Sequence, residues 1–508
     1  MGHIVEGLVR YLANNANHPA FETLPAGMVA KSLLFSWATY YILAVIYSLT
    51  FHPLAKYPGP KLAAVTRLWH SYHLCTGGIV STLSKAHGKY GPVLRIAPDE
   101  LLFTSSRAWD DIYGIQPGKI EMDKTTPLYK GPTAPHSIVT VDGELHRFYR
   151  RLLAKGFSDT ALREQEPVIK RNIDLLIEKL HVEVAAGKTP EMTSWFNYAT
   201  FDLIGELAFG ETYGCLENSQ YHPWVEMILE VMKLRAMTHA VGYYPWAFHV
   251  LIWFVPKSLR DKFVTHRKFT DEKVQRRMDR KIDYKDLTTN LFDPKNGLKR
   301  YEINGNCSTL IIAGSETTAT ALSATLYFLT QNTDAKRKVI DEVRSMFTSA
   351  EGINSVSTNQ LKYLNACINE ALRIFPPGPA VFPRRVPRGG GVIDGHWIPG
   401  GTQVGIAHFC INHSKKNFLD PGSYIPERWL GDVAYENDDR HAMQAFSYGP
   451  RNCIATNLAR LEIRWVLARL IWEFDWELTP GSERWEEALV FNVWSTKPLN
   501  IKFVPVAR

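Results

Sequence analysis

The chain has 508 residues, of which 45% are hydrophobic and 21% are charged, and its formal net charge is +7. This composition excludes a wholly disordered chain and is typical of a protein with a large core. Basic and acidic residues alternate over most of the chain, without zinc-finger spacing, an RNP-type motif or an arginine-rich arm, so we expect no nucleic-acid partner. A moderately basic surface favours an acidic protein partner or a membrane.

The first predicted element is an uncharged stretch from Ser32 to Phe51. Its 20 residues span about 30 Å as a helix, which matches the hydrocarbon core of a bilayer. We therefore predict an N-terminal tail at 1–31 and a transmembrane anchor at 32–51; the alternative is a buried core helix. A cleaved signal peptide is disfavoured because the stretch is long for one and no small-residue cleavage site follows. Basic residues concentrate after the stretch, which predicts that the rest of the chain faces the cytosol.

Directly after the anchor, residues 52–62 contain Pro53, Pro58 and Pro60. These prolines forbid continued helix, so we predict a stiff, proline-rich hinge between the anchor and a single catalytic domain at 63–508. Two short strands around a turn are expected at 88–105, and further strand-like pieces near 379–386, 392–406 and 488–503. Apolar periodicity predicts helices at about 143–155, 161–186, 193–209, 302–331, 334–349, 358–374 and 455–471. The fold class is therefore mainly α with small β-sheets.

An aromatic stretch at 240–256 has one histidine as its only ionisable group other than tyrosine. Core packing and a second, shallow membrane contact explain it equally well.

Six cysteines lie at 75, 215, 307, 367, 410 and 453, with no CxxC pair. This spacing does not resemble a disulfide framework or a zinc site and suits a reducing compartment. Cys453 differs from the others because it ends the sequence FSYGPRNC. Gly449 permits a tight turn, Arg451 is a fixed cation, and an apolar helical run follows whose N-terminus stabilises negative charge. The sulfur is expected to stay ionised and to bind iron; an inert buried thiol is the alternative.

The predicted helix at 302–331 carries the sequence AGSETT from Ala313 to Thr318. Gly314 weakens the helical hydrogen-bond ladder, and Glu316 and Thr317 form an acid and alcohol pair that can relay protons. Small residues used only for helix packing are the alternative interpretation.

The loop from Phe446 to Ala455 resembles the haem-binding signature Phe-x-x-Gly-x-Arg-x-Cys-x-Gly of the cytochrome P450 superfamily. The hinge and the proline-rich stretch after Arg373 resemble its fungal microsomal members active in secondary metabolism. Ala455 departs from the final glycine, and we expect it to tune the loop without abolishing its function. Three further resemblances follow the family order over about residues 50–505. They are AGSETT, the Glu-x-x-Arg pair of Glu370 and Arg373, and Pro-Glu-Arg-Trp ending at Trp429.

The resemblance implies the cytochrome P450 fold, haem b with Cys453 as axial ligand, and roles for other residues. Phe446, Gly449 and Arg451 belong to the haem loop, and Arg428 completes a buried network with Glu370 and Arg373 behind the haem. His146 replaces the family tryptophan one helical turn before Arg150, and both, with Arg385 and Arg451, are expected to bind the haem propionates. The substrate is expected above the haem. Candidate lining residues are the connector from Tyr113 to Val141, Ala313, Val381, Phe382, Val493 and Trp494.

The resemblance implies a monooxygenase that activates dioxygen at haem iron and oxidises an apolar small molecule. GxGxxG and P-loop motifs are absent from the sequence, so electrons are expected from a membrane-bound NADPH-dependent reductase, with the protein in the endoplasmic reticulum membrane. Two alternatives stay open. One is a haem-thiolate coupling enzyme, isomerase or dehydratase, and the other is a membrane-tethered haem carrier or sensor without turnover.

Overall fold

The computed structural model describes residues 26–116, 118, 120–125, 128–129, 136–244, 257–280 and 286–507. Within these ranges the protein is mainly helical with small sheets, which confirms the predicted fold class. The aromatic stretch predicted at 240–256 lies outside the described residues from 245 onward, and its first residues end a long helix.

The helices are numbered in chain order. They are α1 (Ala26–Thr50), α2 (Lys61–Val65), α3 (Leu68–Cys75), α4 (Ile79–Tyr90), α5 (Arg107–Ile112), α6 (Gly143–Ala154), α7 (Asp159–Glu164), α8 (Glu166–Ala185), α9 (Met192–Phe209), α10 (Cys215–Asn218), α11 (Pro223–Gly242), α12 (Lys257–Asp279), α13 (Thr289–Phe292), α14 (Arg300–Gln331), α15 (Thr333–Met346), α16 (Lys362–Ile374), α17 (His408–Asn412) and α18 (Thr456–Glu473).

The strands among the described residues are short and form one larger sheet and three two-stranded ribbons. They are β1 (Val93–Ala97), β2 (Glu100–Phe103), β3 (Asp123–Lys124), β4 (Arg384–Arg385), β5 (Gly391–Ile393), β6 (His396–Ile398), β7 (Gln403–Ile406), β8 (Phe474–Leu478), β9 (Leu489–Phe491), β10 (Val493–Ser495) and β11 (Ile501–Pro505). The larger sheet has the order β1-β2-β7-β4-β3, in which only β2 and β7 run parallel. The ribbons are β5–β6, β8–β11 and β9–β10.

The predicted helix at 161–186 is two helices in the structure. It divides into α7 and α8 at Gln165, two residues before Pro167. Proline lacks an N–H and restricts the residue before it, so it is tolerated in the first turn of α8 but not inside a continuous helix.

Helix α1 extends beyond the protein body, with exposed side chains along most of its length. None of its most apolar 18-residue window is buried, so α1 is not a core helix of the body. Within the described part of the chain, it is the one helix long and apolar enough to cross a membrane. It matches the predicted stretch at 32–51 to within one residue at the C-terminal end.

Helix α14 is the central element of the body. Most of its 32 residues from Ile303 onward are buried, and its closest partner is α9. Glycines allow this packing, since a Cβ at Gly305 would lie 2.3 Å from the backbone oxygen of His136, and one at Gly314 would lie 3.0 Å from Ile204. Together α14 and the loop before α18 position the candidate site.

Candidate active site

The predicted cysteine loop is a tight turn that immediately precedes α18. Gly449 has φ +75°, and a Cβ there would lie 1.9 Å from the backbone oxygen of Tyr113. Only glycine fits this position. The Cys453 N–H donates to the Phe446 oxygen at 2.8 Å, and Arg150 on α6 donates to the Asn452 backbone oxygen at 2.7 Å. The loop is therefore closed internally and held from outside by α6.

Cys453 is exposed, whereas four of the other five cysteines are buried. Burial nevertheless raises the pKa of the Cys453 thiol, and the Ala455 N–H, the Thr456 hydroxyl and the Arg150 cation lower it by smaller amounts. The thiol is therefore accessible, but the protein around it removes much of its hydration. Desolvation at the sulfur therefore opposes the loop dipoles and Arg150, which favour the ionised form. A metal cation at the sulfur would supply the missing stabilisation.

The AGSETT segment includes an exposed residue in the middle of the otherwise buried helix α14. Ala313 is exposed although the helix around it belongs to the core. Thr317 is half-buried, and its hydroxyl donates to the Ala313 oxygen at 2.7 Å. The Glu316 Oε2 atom is buried without a hydrogen-bond partner, and burial raises the pKa of this carboxyl to about 7. The segment thus offers a proton-exchanging acid beside an alcohol.

Basic groups cluster between the cysteine loop, α6 and the β3–β4 edge of the sheet. Arg451 contacts Glu121 at 2.5 Å and Asp142 at 2.8 Å. Lys124 is buried and donates to the backbone oxygens of Ile138 and Val141, each at 2.9 Å. Burial first, then Arg451 and Arg384, lower the pKa of Lys124 to about 7.

His146 belongs to the same cluster. Burial and the neighbouring cations Lys124, Arg451 and Arg150 lower its pKa to about 3, so its ring is neutral. A neutral ring still offers one N–H donor.

The structure does not bring Arg385 to this cluster, and it brings Arg384 instead. Adjacent strand residues point to opposite faces, and on β4 Arg384 is buried while Arg385 is exposed. Arg384 Nη1 donates to the Tyr129 hydroxyl at 3.1 Å, and its guanidinium lies 5.0 Å from the Tyr113 ring. Arg385 donates to the Gly401 oxygen at 3.1 Å. Sequence reasoning also missed Lys124, which pairs with Arg384 across β3 and β4.

Glu370, Arg373 and Arg428 are in direct contact and fully buried. Glu370 Oε1 lies 2.8 Å from Arg373 Nη2 and 3.0 Å from Arg428 Nε. Sequence reasoning missed Asp438, which pairs with Arg428 on its other side. Arg373 also donates to the backbone oxygens of Asn412 and Pro421. Since every charge has a partner, this network fixes the chain that leads into the cysteine loop.

The predicted substrate-lining residues divide into two groups. Val381, Phe382 and Val493 are partly buried, as a lining role requires. Trp494 is buried; its ring stacks on Phe375 at 4.0 Å and its Nε1 donates to the Pro376 oxygen at 2.7 Å. Trp494 is therefore a core residue beside the predicted lining. Tyr113 is buried, and much of the connector between residues 117 and 135 lies outside the described residues.

A cavity of about 500 Å³ lies between α6 and the segment after α5, beside Pro450 of the cysteine loop. Arg147, Arg150 and Arg151 contribute to its wall, and Cys453 does not. His146 and Glu121 also line it, so the cavity adjoins the basic cluster beside the loop.

These residues fit a haem. The sulfur is accessible, and Ala313 opens the central helix. The cluster holds four cations, Lys124, Arg150, Arg384 and Arg451, and two carboxylates, Glu121 and Asp142, both of which contact Arg451. When Lys124 is protonated, an excess of two positive charges remains. Buried excess charge needs an anionic partner, and the two propionates of haem supply one of the right charge.

The family model of cytochrome P450 matches residues 58–503. The chain is 79% identical to "Cytochrome P450 monooxygenase cpaH" of Aspergillus oryzae over 100% of both chains. It is 40% identical to "Cytochrome P450 monooxygenase astJ" of Aspergillus oryzae, over 91% of this chain and 94% of that protein. It is also 40% identical to "Trichothecene C-15 hydroxylase" of Fusarium sporotrichioides, over 92% of this chain and 96% of that protein.

Proposed function

Because the chain belongs to the cytochrome P450 family and is a haem monooxygenase, we propose that it oxidises an apolar small molecule in fungal secondary metabolism, using electrons from an NADPH-dependent reductase. The observation that carries the proposal is Cys453, the exposed thiol at the end of a glycine-shaped loop. The relatives of the chain named above include monooxygenases of similar length, and one is named a hydroxylase. Hydroxylation is therefore the reaction we favour over coupling, isomerisation or dehydration.

Cys453 would be the axial ligand of haem b, with Phe446 and Gly449 shaping the loop. The propionates would be held by Arg451, Arg150 and His146, and we add Lys124 and Arg384 to these in place of Arg385. Support comes from the convergence of their side chains and from the charge excess described above. Guanidinium and ammonium groups bind carboxylates through charge-assisted hydrogen bonds.

The bound haem supplies reductive activation of dioxygen and oxidation of a C–H bond. The chain itself must deliver protons to this site. Glu316 suits that task because its pKa of about 7 lets it both give and take a proton near neutral pH. The Thr317 hydroxyl, bonded to Ala313, lies on the next residue and would pass the proton on. An isomerase or dehydratase that works without oxygen would need no such acid.

The substrate would lie against Ala313, Val381, Phe382 and Val493, with Trp494 as support from the core. Apolar and small side chains select a greasy molecule by burial and reject a strongly charged one. The 79% identity to cpaH along both full chains favours a closely related substrate.

The reductase would dock on the basic surface around the cysteine loop. Among the described residues, Arg151 on α6 is exposed, and Arg460 and Arg464 on α18 are half-buried, with Arg460 donating to Asn369 at 3.0 Å. Cations near a surface favour an acidic partner and steer its approach.

We also propose the predicted division of the chain into a tail at 1–31, an anchor at 32–51, a connector at 52–62 and a catalytic domain at 63–508. The anchor would cross the endoplasmic reticulum membrane once, with the catalytic domain in the cytosol. Helix α1, exposed and apolar, supports the anchor.

The decisive experiment replaces the cysteine. Purified wild-type protein, Cys453→Ala and the control Cys410→Ala are compared by the difference spectrum of the reduced carbon monoxide complex. We expect the thiolate-type spectrum in wild type and control and its loss in Cys453→Ala. An unchanged spectrum in Cys453→Ala would refute the assignment. NADPH and oxygen consumption with a reductase, and metabolite profiling of a strain lacking the gene, then test the reaction class.

A further inference from the structure

Helix α11 runs from the central helix α14 to helix α3. Near its start, Trp224 Nε1 donates to His266 Nδ1 at 2.8 Å, and His266 Nε2 lies 3.0 Å from the Ser308 hydroxyl on α14. Near its end, the Ala240 oxygen accepts a hydrogen bond from the Ser71 hydroxyl on α3 at 3.2 Å. One long helix therefore connects the neighbourhood of α14, which carries the AGSETT segment, with α3.

Arg235 lies on α11, about 16 Å beyond Trp224 along the helix axis. Its side chain is partly buried, and burial lowers the pKa of the guanidinium. Among the side chains that the structure describes, no carboxylate counters this effect. Because a guanidinium stays charged near neutral pH, Arg235 is a partly buried positive charge without a counter-ion among these side chains.

A second arginine in this region, Arg67, is balanced by carboxylates. It forms ion pairs with Asp99 and with Glu100, the latter at 2.6 Å, and its guanidinium lies 4.1 Å from the Tyr243 ring. Burial alone would lower the pKa of Arg67, but Glu100 and Asp99 raise it above its usual value. The shift of Arg235 has the opposite sign, so these two carboxylates stabilise Arg67 and do not balance Arg235.

Two neutral histidines accompany Arg235. His239 follows Arg235 by one helical turn and shares its face of α11, and the His239 ring lies 6.3 Å from the ring of His70 on α3. The Nδ1 atoms of both rings are buried and have no hydrogen-bond partner among the described residues. Burial lowers the pKa of both rings to about 3, so each ring is neutral and has one N–H to donate.

The turn between β9 and β10 connects these polar groups with the proposed substrate lining. Asn492 forms the turn with φ +70° and is hydrogen-bonded to the His239 ring. The next residue, Val493, belongs to the lining proposed above. The Val490 N–H on β9 donates to the Gly77 oxygen, just after α3, at 2.9 Å. The ribbon is thus held between α3 and α11, with Val493 next to the polar groups.

We propose that Arg235, His239 and His70 form a subsite for an ionised acidic group of the substrate, such as a carboxylate. The inference rests on the proposed function and narrows its substrate class to apolar molecules that carry one acidic group remote from the oxidised carbon. An oxyanion supplies the counter-charge for Arg235 and accepts hydrogen bonds from the guanidinium and the ring N–H groups. The apolar residues near Ala313 still exclude charge from the haem end of the substrate.

A matched pair of probes tests the subsite by binding, without using activity. 1-Pyrenebutyric acid carries an ionised carboxylate on a polycyclic apolar body, and its methyl ester is the neutral counterpart. Each probe is titrated with haem-loaded full-length protein, and binding is read from the quenching of pyrene fluorescence by the haem. Arg235→Gln removes the charge and Arg235→Lys keeps it. Arg163→Gln, which changes an exposed arginine on α7, is the control with the same change in net charge.

We expect wild type and Arg163→Gln to bind the acid about tenfold or more tightly than the ester. Arg235→Gln should lose this preference and Arg235→Lys should keep part of it, with the affinity for the ester the same in all four proteins. Equal affinity of wild type for both probes, or binding of neither, would overturn the acidic subsite. An unchanged preference in Arg235→Gln would overturn the role of Arg235. The carbon monoxide spectrum of the same samples reports separately on the proposed function, whose failure would remove the thiolate-type spectrum from wild type.

Thermal unfolding distinguishes a ligand subsite from a structural ion pair at Arg235. Without probe, Arg235→Gln removes an uncompensated charge, so we expect its melting temperature to equal or exceed that of wild type. A structural ion pair would give the opposite result, because the replacement would leave a carboxylate without its partner. A clear fall in the melting temperature of Arg235→Gln would therefore contradict the subsite. Saturating acid probe should raise the melting temperature of wild type more than that of Arg235→Gln.

Discussion

Single side chains decide how the haem is expected to be held, and adjacent residues on one strand have opposite roles. Arg384 points into the basic cluster and Arg385 points to the surface, where it bonds to Gly401. The sequence contains both arginines side by side, and the alternation along β4 depends on a register set by β3 and β7. Which of two neighbouring arginines is buried could not be known before that register was known.

Replacement of these neighbours separates the two interpretations. We expect Arg384→Ala to lose haem more readily, because it removes a buried cation from the cluster and leaves the Tyr129 hydroxyl without this partner. Arg385→Ala is the matched control and should retain haem as wild type does. Haem retention is measured by the transfer of haem to apomyoglobin. Faster loss from Arg385→Ala than from Arg384→Ala would restore the original assignment.

Glu316 carries a second prediction for a single residue. Its protonated form is the donor, and with a pKa of about 7 this form disappears as pH rises through 7. Product formation in wild type should therefore decline over that range. Glu316→Gln should be slower by about 100-fold, without the decline, and should divert NADPH to peroxide. Glu462→Gln, which removes another buried carboxyl of raised pKa, is the control and should behave as wild type.

At the scale of elements, the sequence predicted the helices whose apolar faces are periodic and missed others. Helices α6, α9, α14 and α18 lie within two residues of their predicted ends, because each buries apolar residues against the core. Helix α12 was missed because its sequence is dominated by charged residues. Its helical form depends on partners such as Glu211, which pairs with Lys273 and Arg276. Such contacts between distant segments are not visible as periodicity.

The two glycines in α14 are predicted to differ. A Cβ at Gly305 would meet the His136 backbone oxygen at 2.3 Å, which cannot move without displacing a chain segment. At Gly314 the neighbour is the flexible end of Ile204. Alanine gains about 1 kcal/mol over glycine in a helix, which offsets the small strain at 314 but not the clash at 305. We expect Gly305→Ala to lower the melting temperature clearly and Gly314→Ala to change it little. Equal melting temperatures would contradict this difference.

For the whole molecule, buried ionisable groups predict a pH of maximum stability. Burial lowers the pKa of His70, His239 and His408 to about 3. The unfolded chain then binds more protons than the folded one between pH 3 and 6.5, so the free energy of unfolding falls as pH falls through this range. Glu462 has the opposite effect on the free energy of unfolding. Burial raises its pKa from 4.5 to about 8, so the stability that it contributes is lost as pH rises through this range.

These opposing groups place the maximum near pH 6.5, where the histidines of the unfolded chain are losing their protons and Glu462 is still largely protonated in the folded state. Melting temperatures measured across pH should show it. Glu462→Gln should remove part of the decline above pH 6.5, and His408→Phe should weaken the decline below it. A melting temperature that keeps rising to pH 9 would contradict the role of Glu462.

The single accessible Cys453 also has a consequence for how the protein matures. Four cysteines are buried and Cys75 is partly covered, so a thiol-alkylating reagent added to the haem-free polypeptide would meet one fully open sulfur, the one that must later bind iron. The fraction of chains alkylated at Cys453, read by mass spectrometry, thus measures the fraction of molecules without haem. It also identifies the chemical hazard of the interval before cofactor insertion, in which oxidation of this sulfur to a sulfinic or sulfonic acid would make the chain permanently inactive.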